Sequence, residues 1–521
     1  MSASRRPACV DTALDDVVAA VDARMAREIA AVPAAMPAAS LVAAGGKRLR
    51  ARILWLSAAV AAPSSVAADH EQIHRTATAI ELAHLASLVH DDIVDGATTR
   101  RGVPTVHVQH GIAGAARAGT ALLHLAGALI APLPTGARRA VAHATLAMCR
   151  GQVRELMQSF QLCSRHQRLV IMRQKTAALF EVVAHLGVKL VGGVPACDRA
   201  LRQFARRFGI AYQIADDIMD LVGDPTRLGR ANGADLRDGV MTLPVLLAAE
   251  SSPAVGRVLA RLRASSDPED TATCIRLIAE TGALTAAAAE SRRWLAHARA
   301  ALDPVPASPA RRELLSLAEA TLAVPIGQPG TLRLDTAERQ HRATPLRFDC
   351  RDAAACGTWS PASDPRWHPG TFAAADARIL RHLARIEQTL PGAVRPLVVD
   401  VDAANVTARL WRECPQRRED WPATSMATRA FALAECAATD ARLERSPLEA
   451  LAISDSLHAV ALSFLADAAT AAHAHVETYM LRHVRASAPG LKRNVPAAES
   501  CRRAAPARDL ARGVTLGAAS A

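Results

Sequence analysis

The sequence predicts an all-α protein with more than one domain. Alanine-rich segments with apolar residues at helical spacing run through most of the chain, and runs of β-branched residues are few. Half of the residues are hydrophobic, but only 3% are aromatic. A length of 521 residues exceeds what one hydrophobic core usually accommodates. We therefore expect a helical domain that carries the functional motifs, followed by an additional, mostly helical C-terminal region.

Two acidic clusters of the same form are the strongest functional signal. They are DDIVD at Asp91, Asp92 and Asp95, and DDIMD at Asp216, Asp217 and Asp220. In a helix the first and fifth residues of such a cluster share one face, so each cluster presents two carboxylates at one spot. Paired carboxylates suit Mg²⁺, which usually takes one or two of them together with water and substrate phosphates. The pattern predicts that the two clusters hold a diphosphate through Mg²⁺.

A solvated acidic helix face is the usual explanation for clustered aspartates. That explanation does not account for the apolar sequence around both clusters or for the basic residues nearby. Arg100 and Arg101 follow the first cluster, and GGKRLR at residues 45–50 precedes it. The chain has only four lysines against 58 arginines, and two of them, Lys47 and Lys175, fall within the motifs. We expect these two sites to need a compact ammonium group rather than a planar guanidinium.

Six blocks in a fixed order resemble the trans-prenyltransferases, the all-trans polyprenyl diphosphate synthases of the isoprenoid synthase fold. The blocks are GGKRLR (45–50), HDDIVD with RRGVPTVH (90–107), GQVREL (151–156), KTAALF (175–180), YQIADDIMD (212–220) and DLRDGVMTLP (235–244). The resemblance covers about residues 12–325. It implies an isoprenoid synthase-type helical bundle, a prenyltransferase that joins isopentenyl diphosphate to an allylic diphosphate, Mg²⁺ as cofactor, and a homodimer.

The same resemblance assigns roles to individual residues. The metal ligands would be Asp91, Asp92, Asp95, Asp216 and Asp220. The catalytic residues would be Asp91, Asp95, Lys175 and Asp216. The allylic diphosphate would be bound by Arg100, Lys175, Thr176, Gln213 and Arg230. Isopentenyl diphosphate would be bound by Lys47, Arg50, His84 and Arg101. Ionisation, condensation and proton loss would follow without a protein nucleophile.

Three alanines bear on the length of the product. In the family, the position five residues before the first cluster opens or closes the hydrocarbon tunnel, and here it is Ala86. Ala83 and Ala79 lie one and two turns further back. One helical turn rises about 5.4 Å, close to the span of an isoprene unit, so such residues guard successive product lengths. Their small side chains predict a medium or long all-trans product.

The chain departs from the family pattern at three positions. Val240 and Arg230 stand where many members have lysine, and Gly119-Thr120 stands where the family usually has Gly-Asp. Val240 removes one basic contact to the allylic diphosphate, and Thr120 changes the polar network of its helix. All of the predicted metal ligands are retained.

Composition divides the chain into four regions. Residues 1–325 contain every recognised motif, and 326–370, rich in Pro, Gly, Asp and Trp, predict a linker or irregular lobe. Helical spacing returns over 371–488, a helical domain without an assigned role, and 489–521 form a basic tail expected to be disordered. The tail is a candidate for peripheral contact with anionic membranes. Few contacts are expected to cross the linker, so a chain ended near residue 330 should remain active.

Other features bear on location and on further sites. Ten cysteines without paired spacing, and an N-terminus without an apolar leader, predict free thiols and a cytoplasmic protein. The uncharged stretch 118–137 is interrupted by Pro132 and Pro134 and predicts a buried helix rather than a membrane span. No nucleic-acid partner is expected. No common zinc spacing is matched by His341, Cys350, Cys356 and His368.

Two other functions remain open from the sequence. A class I terpene cyclase on the same fold would ionise a diphosphate without condensing a second one. Retention of the predicted isopentenyl diphosphate site argues against a cyclase, which has no such substrate to bind. A regulatory or scaffolding partner with a degenerate site is favoured by Thr120 and Val240 and opposed by the complete aspartate clusters.

Overall fold

Helices account for nearly all of the secondary structure in the computed structural model of this protein. The structure describes residues 10–62, 70–223, 232–264 and 267–322, together with Asp455, His458, Ala461, Leu462, Leu465 and Ala466. Within these residues the only strands are two residues long, so the prediction of an all-α fold is confirmed. Residues 326–370, 489–521 and most of 371–488 lie outside the described residues, and the boundaries proposed there stay predictions.

The first half of the described chain contains six helices and a small hairpin. The helices are α1 (Val10–Ala30), α2 (Ala39–Ala43), α3 (Leu49–Ala61), α4 (His70–Val94), α5 (Val106–Ile130) and α6 (Thr135–Met157). A 3₁₀ turn, Met36–Ala38, precedes α2. Strands β1 (Thr99–Arg100) and β2 (Val103–Pro104) lie between α4 and α5.

The second half continues with helices joined by short turns. They are α7 (Arg165–Met172), α8 (Ala178–Leu190), α9 (Pro195–Val222), α10 (Ala234–Arg237), α11 (Leu243–Ser251), α12 (Pro253–Ala264), α13 (Pro268–Glu280), α14 (Ala283–Ala301) and α15 (Pro309–Thr321). A π turn, Arg173–Ala177, joins α7 to α8.

The protein divides into two compact units, each assembled from separate stretches of the chain. The first unit takes its described residues from the ranges Met1–Val21, Lys47–Ala77 and Ala140–Arg385. The second takes them from Asp22–Gly46, Thr78–Arg139 and Ile386–Ala521. The DDIVD cluster therefore belongs to the second unit, and the DDIMD cluster belongs to the first.

In the first unit, α9 packs against α8 and α14. Phe204 and Phe208, four residues apart on one face of α9, are fully buried, and their rings stack with centroids 6.1 Å apart. Phe180 of α8 meets Phe208 edge to face at 5.2 Å. Gly209 allows a close approach, because a Cβ there would lie 2.6 Å from Ala177 Cα. These contacts fix the helix that ends in the second aspartate cluster.

In the second unit, α4 and α5 approach closely at Gly119. A Cβ on Gly119 would come within 2.1 Å of His90 Nε2, so only glycine fits between the helices at this point. Thr120, at the position where the family usually has aspartate, is 2% exposed. Its hydroxyl has no hydrogen-bond partner among the described residues. Among the described residues, the side chain at this position thus adds no hydrogen bond to the polar network of its helix.

Helix α5 is long and apolar enough to cross a membrane, with a mean hydropathy of 1.3 in its most apolar window. However, 72% of that window is buried inside the protein, and core helices of folded domains satisfy the same criterion. The helix ends at Ile130, and Pro132 and Pro134 separate it from α6. The stretch 118–137 thus forms a buried helix, as predicted, but only as far as Ile130.

Within the second unit, the described residues near the C-terminus contact α4, α5 and the start of α6. Asp455 bonds to His90 of α4, the ring of His458 meets that of His124, and the carbonyl of Ala466 accepts hydrogen bonds from an arginine of α6. The expectation that few contacts cross from the C-terminal region is therefore wrong for these residues. Local composition carries no information about packing between residues more than 300 positions apart.

Candidate functional site

The first aspartate cluster occupies the last turn of α4 and the residue that follows it. Asp91 is half-buried and Asp95 is exposed, whereas Asp92 is 1% exposed. The backbone N–H of Asp95 donates to the carbonyl of Asp91 at 2.8 Å and extends the helical turn. No basic residue lies in the last turn of α4 to offset the negative end of the helix dipole. This helix end therefore favours a bound cation.

A tight hairpin brings Arg100 back to the cluster. The strands pair with Arg100 opposite Val103, and the turn residues Arg101 and Gly102 have φ angles of 54° and 76°. Arg100 Nε donates to Asp92 Oδ1 at 2.6 Å. Burial raises the pKa of Asp92 to about 6, and the charge of Arg100 opposes that shift. Asp92 thus holds Arg100 in place and leaves the other two carboxylates of its cluster more accessible.

The guanidinium of Arg101 lies against the glycine pair of the GGKRLR block. Its Nη1 donates to the carbonyl of Gly45 and, at 3.4 Å, to that of Leu41. Gly46 has a φ of 155°, and a Cβ there would lie 2.9 Å from the guanidinium carbon. Gly46 therefore makes room for Arg101, a predicted ligand of isopentenyl diphosphate, and Gly45 supplies a carbonyl that accepts its hydrogen bond.

The other predicted ligands of isopentenyl diphosphate lie in both units. In the first unit, Lys47 is exposed just before α3, and the Arg50 guanidinium lies 4.9 Å from the ring centroid of Phe180. In the second unit, His84 is half-buried on α4, with Nδ1 3.5 Å from Ser87 Oγ. The structure therefore places Lys47 and Arg50 at the start of one helix and His84 in the middle of another.

The three alanines predicted to control product length share one face of α4. Ala79, Ala83 and Ala86 are 1%, 7% and 0% exposed. Their spacing of three and four residues places them above one another along the helix. They form a smooth, buried stripe leading away from the first aspartate cluster.

The second aspartate cluster lies in the last two turns of α9. Asp216 is exposed, whereas Asp217 and Asp220 are 0% and 2% exposed. The Oδ2 of Asp220 accepts the backbone N–H of Asp235 at 3.2 Å. As in α4, the last turn of α9 contains no basic residue. Asp216 is therefore the accessible carboxylate of this cluster.

Asp217 occupies the same position in its cluster as Asp92 does in the first. Arg168 Nη2 lies 3.4 Å from Asp217 Oδ2, and Gln213 Nε2 donates to Asp217 Oδ1 at 2.9 Å. Thr176 Oγ1 in turn donates to Gln213 Oε1 at 2.5 Å. Burial raises the pKa of Asp217 to about 7, and the charge of Arg168 opposes that shift. One chain of hydrogen bonds thus joins Thr176 and Gln213, two predicted ligands of the allylic diphosphate, to the second cluster.

Glu155 lies in the GQVREL block, but its role at the site was not predicted from the sequence. It is 7% exposed and accepts hydrogen bonds from Lys175 Nζ and, at 2.6 Å, from Arg168 Nη1. Burial favours the neutral carboxyl, but the charges of Lys175 and Arg168 outweigh burial and lower the pKa of Glu155 to about 2. Because its contact with Arg168 is shorter than that of Asp217, Glu155 is the firmer counter-charge of this guanidinium.

Lys175 and Thr176 lie in the π turn that joins α7 to α8. The N–H of Ala178 donates to the carbonyl of Arg173, five residues back, instead of the usual four. The wider turn directs the two consecutive side chains to different neighbours, Lys175 to α6 and Thr176 to α9. Such turns are frequent at functional sites.

We expect Glu155→Gln to remove a pH-dependent part of the stability. The folded protein lowers the pKa of Glu155 from 4.5 to about 2, so this carboxylate contributes stability that is complete above pH 4.5 and is lost as the pH falls towards 2. The shift corresponds to on the order of 3 kcal/mol at neutral pH. Urea unfolding should show a difference from the unmodified protein that is large at about pH 7 and shrinks towards about pH 3.

Glu250→Gln is the matched control for this prediction. Glu250 pairs with Arg165 at the surface, where its side chain is 50% exposed, so its loss should change the unfolding free energy by less than about 1 kcal/mol at any pH. If Glu155→Gln lowers the free energy of unfolding by the same amount from about pH 7 to about pH 3, the assigned pKa shift is contradicted.

Arg230 and Val240 are the two positions where many members of the family have lysine. Arg230 lies outside the described residues. Val240 is half-buried, and its N–H donates to the carbonyl of Asp235 at 2.7 Å, so its backbone contributes to the turn after α10.

The chain is similar to known proteins over a region that contains both aspartate clusters. A family model described as polyprenyl synthetase matches residues 34–280. Heptaprenyl diphosphate synthase component 2 of Geobacillus stearothermophilus is 33% identical over 309 residues, which cover 58% of this chain and 95% of that protein. Nonaprenyl diphosphate synthase of Mycobacterium tuberculosis is 34% identical over 283 residues, which cover 54% of this chain and 83% of that protein.

A solved structure is also similar to this chain. It is the crystal structure of polyprenyl synthase from Caulobacter crescentus CB15 complexed with calcium and isoprenyl diphosphate. The two structures superpose with a TM-score of 0.56 at 33% sequence identity, covering 61% of this chain and 98% of that chain.

Proposed function

This chain belongs to the polyprenyl synthetase family, and we propose that it is a polyprenyl diphosphate synthase that extends an allylic diphosphate with isopentenyl diphosphate. The observation that carries the proposal is the shared design of the two aspartate clusters. Each cluster ends a helix, and in each the second aspartate is buried beside an arginine, Asp92 beside Arg100 and Asp217 beside Arg168. In each cluster the first aspartate is more accessible than the second. Two such clusters suit a substrate that carries phosphate groups and divalent metal.

We propose Mg²⁺ as the cofactor, held by Asp91 and Asp95 of the first cluster and by Asp216 and Asp220 of the second, with Asp92 as a further oxygen donor. Asp92 Oδ2 is buried and has no hydrogen-bond partner among the described residues. Nor do those residues contain a group of three or more acidic, histidine or cysteine side chains that could hold a metal alone. This arrangement fits Mg²⁺, which completes its shell with water and substrate phosphates. When bound, Mg²⁺ supplies Lewis-acid stabilisation of the departing diphosphate.

The side chains of the protein supply further positive charge to the allylic diphosphate. Arg100 is held by Asp92 and Lys175 by Glu155, so both cations are oriented before a substrate arrives. Preoriented charges stabilise a developing anion without a cost of reorganisation at the moment of reaction. Thr176 and Gln213 would add neutral hydrogen bonds to the same group. Arg230 is assigned to this set by resemblance alone.

Isopentenyl diphosphate requires its own cationic site, because two diphosphates repel each other strongly without intervening positive charge. We propose Lys47, Arg50, His84 and Arg101 for this site. The double bond of isopentenyl diphosphate then attacks the allylic cation. Loss of a proton from the new carbocation restores an allylic diphosphate that is one isoprene unit longer.

Incubation with labelled isopentenyl diphosphate, farnesyl diphosphate and Mg²⁺ tests the proposed function directly. We expect label to enter prenyl diphosphates longer than the primer. Consumption of farnesyl diphosphate without incorporation of label would instead indicate a cyclase. Consumption of neither substrate would indicate a regulatory or scaffolding partner.

The stripe of alanines on α4 leads us to propose a medium or long product, and Ala86→Phe tests this. Ala86 is 0% exposed, so a ring at this position adds bulk that a growing hydrocarbon chain cannot pass without displacing packed side chains. We expect shorter products, while the first condensation persists with a modest change in rate. Mass spectrometry of the dephosphorylated products measures the shift.

A second phenylalanine, placed elsewhere, provides the control for Ala86→Phe. Ala19 is exposed on α1, and Ala19→Phe should leave the product distribution unchanged. An active Ala86→Phe variant with unaltered products would show that another part of the protein sets the length.

We further propose that the protein is cytoplasmic and forms a homodimer. Cys163, Cys197 and Cys274 are free cysteines, which supports a reducing compartment. Sedimentation equilibrium of the purified chain tests the dimer. The basic tail proposed to touch anionic membranes lies outside the described residues.

A further inference from the structure

We propose that the C-terminal region docks on the helix of the first aspartate cluster, with Asp455 as a positioning residue for the end of α4. The described residues of this region contact three elements of the second unit: α4, α5 and the start of α6. The docking is independent of the proposed function. The effect of docking on substrate binding rests on that function.

The contact with α4 is polar and buried. His90 is 3% exposed and directly precedes Asp91. Its Nδ1 lies 2.8 Å from Asp455 Oδ1, and its Nε2 lies 3.2 Å from the carbonyl oxygen of Ala116 on α5. An oxygen on each side of the imidazole fixes the ring in one orientation. Asp455 is therefore linked to the first aspartate cluster through a single residue.

Apolar packing supports this polar contact. Asp455, His458, Leu462 and Leu465 are all helical and follow one another at intervals of three or four residues, which places them on one helix face. His458, Leu462 and Leu465 are 1%, 5% and 0% exposed. The ring of His458 meets that of His124 on α5 with centroids 4.6 Å apart and planes 61° apart. This face is thus buried in the second unit.

A buried arginine holds the end of the docked segment. Arg138 is 2% exposed, and its Nε and Nη2 donate to the carbonyl of Ala466 at 3.3 and 3.1 Å. Its Nη1 donates to the carbonyl of Ala131, just after α5, at 2.9 Å. The N–H of Ala466 donates to the carbonyl of Leu462 at 2.9 Å, so Ala466 lies at the end of a helical turn, where its own carbonyl favours a nearby cation.

The second unit would be left incomplete without these residues. Burying a charged or polar group without a partner is costly, and both Arg138 and His90 take partners from the C-terminal region. The partners lie 328 and 365 positions away in the sequence. The end of α4, and with it the first aspartate cluster, is therefore held from two sides, by α5 and by the C-terminal region.

Hydrogen–deuterium exchange of the full-length chain tests the docking without reference to activity. We expect Asp455→Ala to speed exchange about tenfold at the end of α4 and in the facing part of α5, because local opening no longer breaks the bond to His90. Asp455→Glu should largely restore protection. Leu465→Asp, which places a charge on the buried face, should act on the same segments. Helix α9 in the first unit should be unaffected in every variant.

Asp303→Ala is the matched control for exchange. Asp303 has a side chain that is 76% exposed and lies 3.8 Å from Arg311 in the first unit. We expect its loss to leave α4 and α5 unchanged. Exchange at the end of α4 that is identical in the unmodified protein, Asp455→Ala and Leu465→Asp would overturn the docking.

Steady-state kinetics test the positioning role. In Asp455→Ala the KM for the allylic diphosphate should rise about fivefold, whereas kcat at saturating substrate should change less than about twofold. Asp455→Glu should return KM close to its original value. An unchanged KM, in a variant whose exchange has increased, would overturn the positioning role. An unmodified protein without activity would overturn the proposed function, while the exchange experiment would still decide the docking.

Discussion

Replacing Asp216 with alanine is expected to abolish turnover while leaving the helical fold intact. Asp216 is the accessible carboxylate of the second cluster and lies near the end of α9, whose last turn contains no basic residue. Its loss would remove a proposed metal ligand, and with it part of the charge stabilisation proposed for the departing diphosphate. Removing one such electrostatic contact commonly lowers the rate by on the order of 10² to 10³. The same result is expected for Asp91→Ala in the first cluster.

Circular dichroism and labelled-substrate turnover measure the two parts of this prediction. Asp16→Ala is a suitable control, because Asp16 is exposed on α1 and has no assigned role in the reaction. Normal rates for both cluster variants at saturating Mg²⁺ would refute the metal assignment. A loss of helical signal would show instead that the aspartates serve folding.

Arg168→Met is expected to cause the largest loss of stability in the first unit. Arg168 is 3% exposed and lies between Glu155 and Asp217, which are 7% and 0% exposed. Methionine fills a similar volume but leaves Asp217 without its ion pair and Glu155 with Lys175 alone. Breaking a buried ion pair by removing one partner typically costs about 3 to 5 kcal/mol. Urea unfolding at neutral pH measures the loss.

Arg165→Met, three residues earlier on α7, provides a matched control. Arg165 pairs with Glu250 at the surface, with side chains 38% and 50% exposed, and such pairs contribute less than about 1 kcal/mol. If Arg168→Met destabilises the protein no more than Arg165→Met does, the buried network does not have the structural weight assigned to it. Reduced activity in a stable Arg168→Met variant would place the role of Arg168 in the site rather than in the fold.

Periodicity and motif spacing predicted the helices that matter most for the site. The apolar flanks of DDIVD and DDIMD correctly indicated helices, because a buried helix face imposes its spacing on the sequence over several turns. The same spacing placed Ala79, Ala83 and Ala86 on one face. These features depend on neighbours within one or two turns, and the sequence records them locally.

Which aspartate of each cluster is buried and which is accessible could not be predicted in the same way. Asp91 and Asp92 are adjacent and chemically identical, and helical spacing alone does not say which one is buried. The buried aspartate, Asp92, is the one that pairs with Arg100, and Arg100 returns to the cluster through a hairpin turn in which Arg101 is left-handed. A left-handed arginine is uncommon enough that no sequence pattern indicated it. The pairing of Asp217 with Arg168 also escaped prediction, because the two residues are 49 positions apart and local spacing does not record such contacts.

The contacts of Glu155 and Asp455 could not be predicted from the sequence either. Glu155 lies inside a recognised block, so its position was visible, but its role depends on two cations contributed by α7 and the π turn. Asp455 lies in a region without a recognised motif, and its partner is 365 positions away. Hydrophobic periodicity predicted that this region is helical but gave no information about its docking surface.

The π turn makes the site sensitive to a change in chain length that the fold itself would tolerate. Removing one residue from Arg173–Ala177 would convert α7, the turn and α8 into a continuous α-helix with ordinary hydrogen bonds. Because the π turn holds one residue more than an α turn, such a deletion would leave α7 and α8 in about their present orientation and would change the direction only of side chains within the turn. Lys175 and Thr176 could then no longer face α6 and α9 while α8 kept its packing. A single-codon deletion here would thus yield a helical protein with a misaligned site.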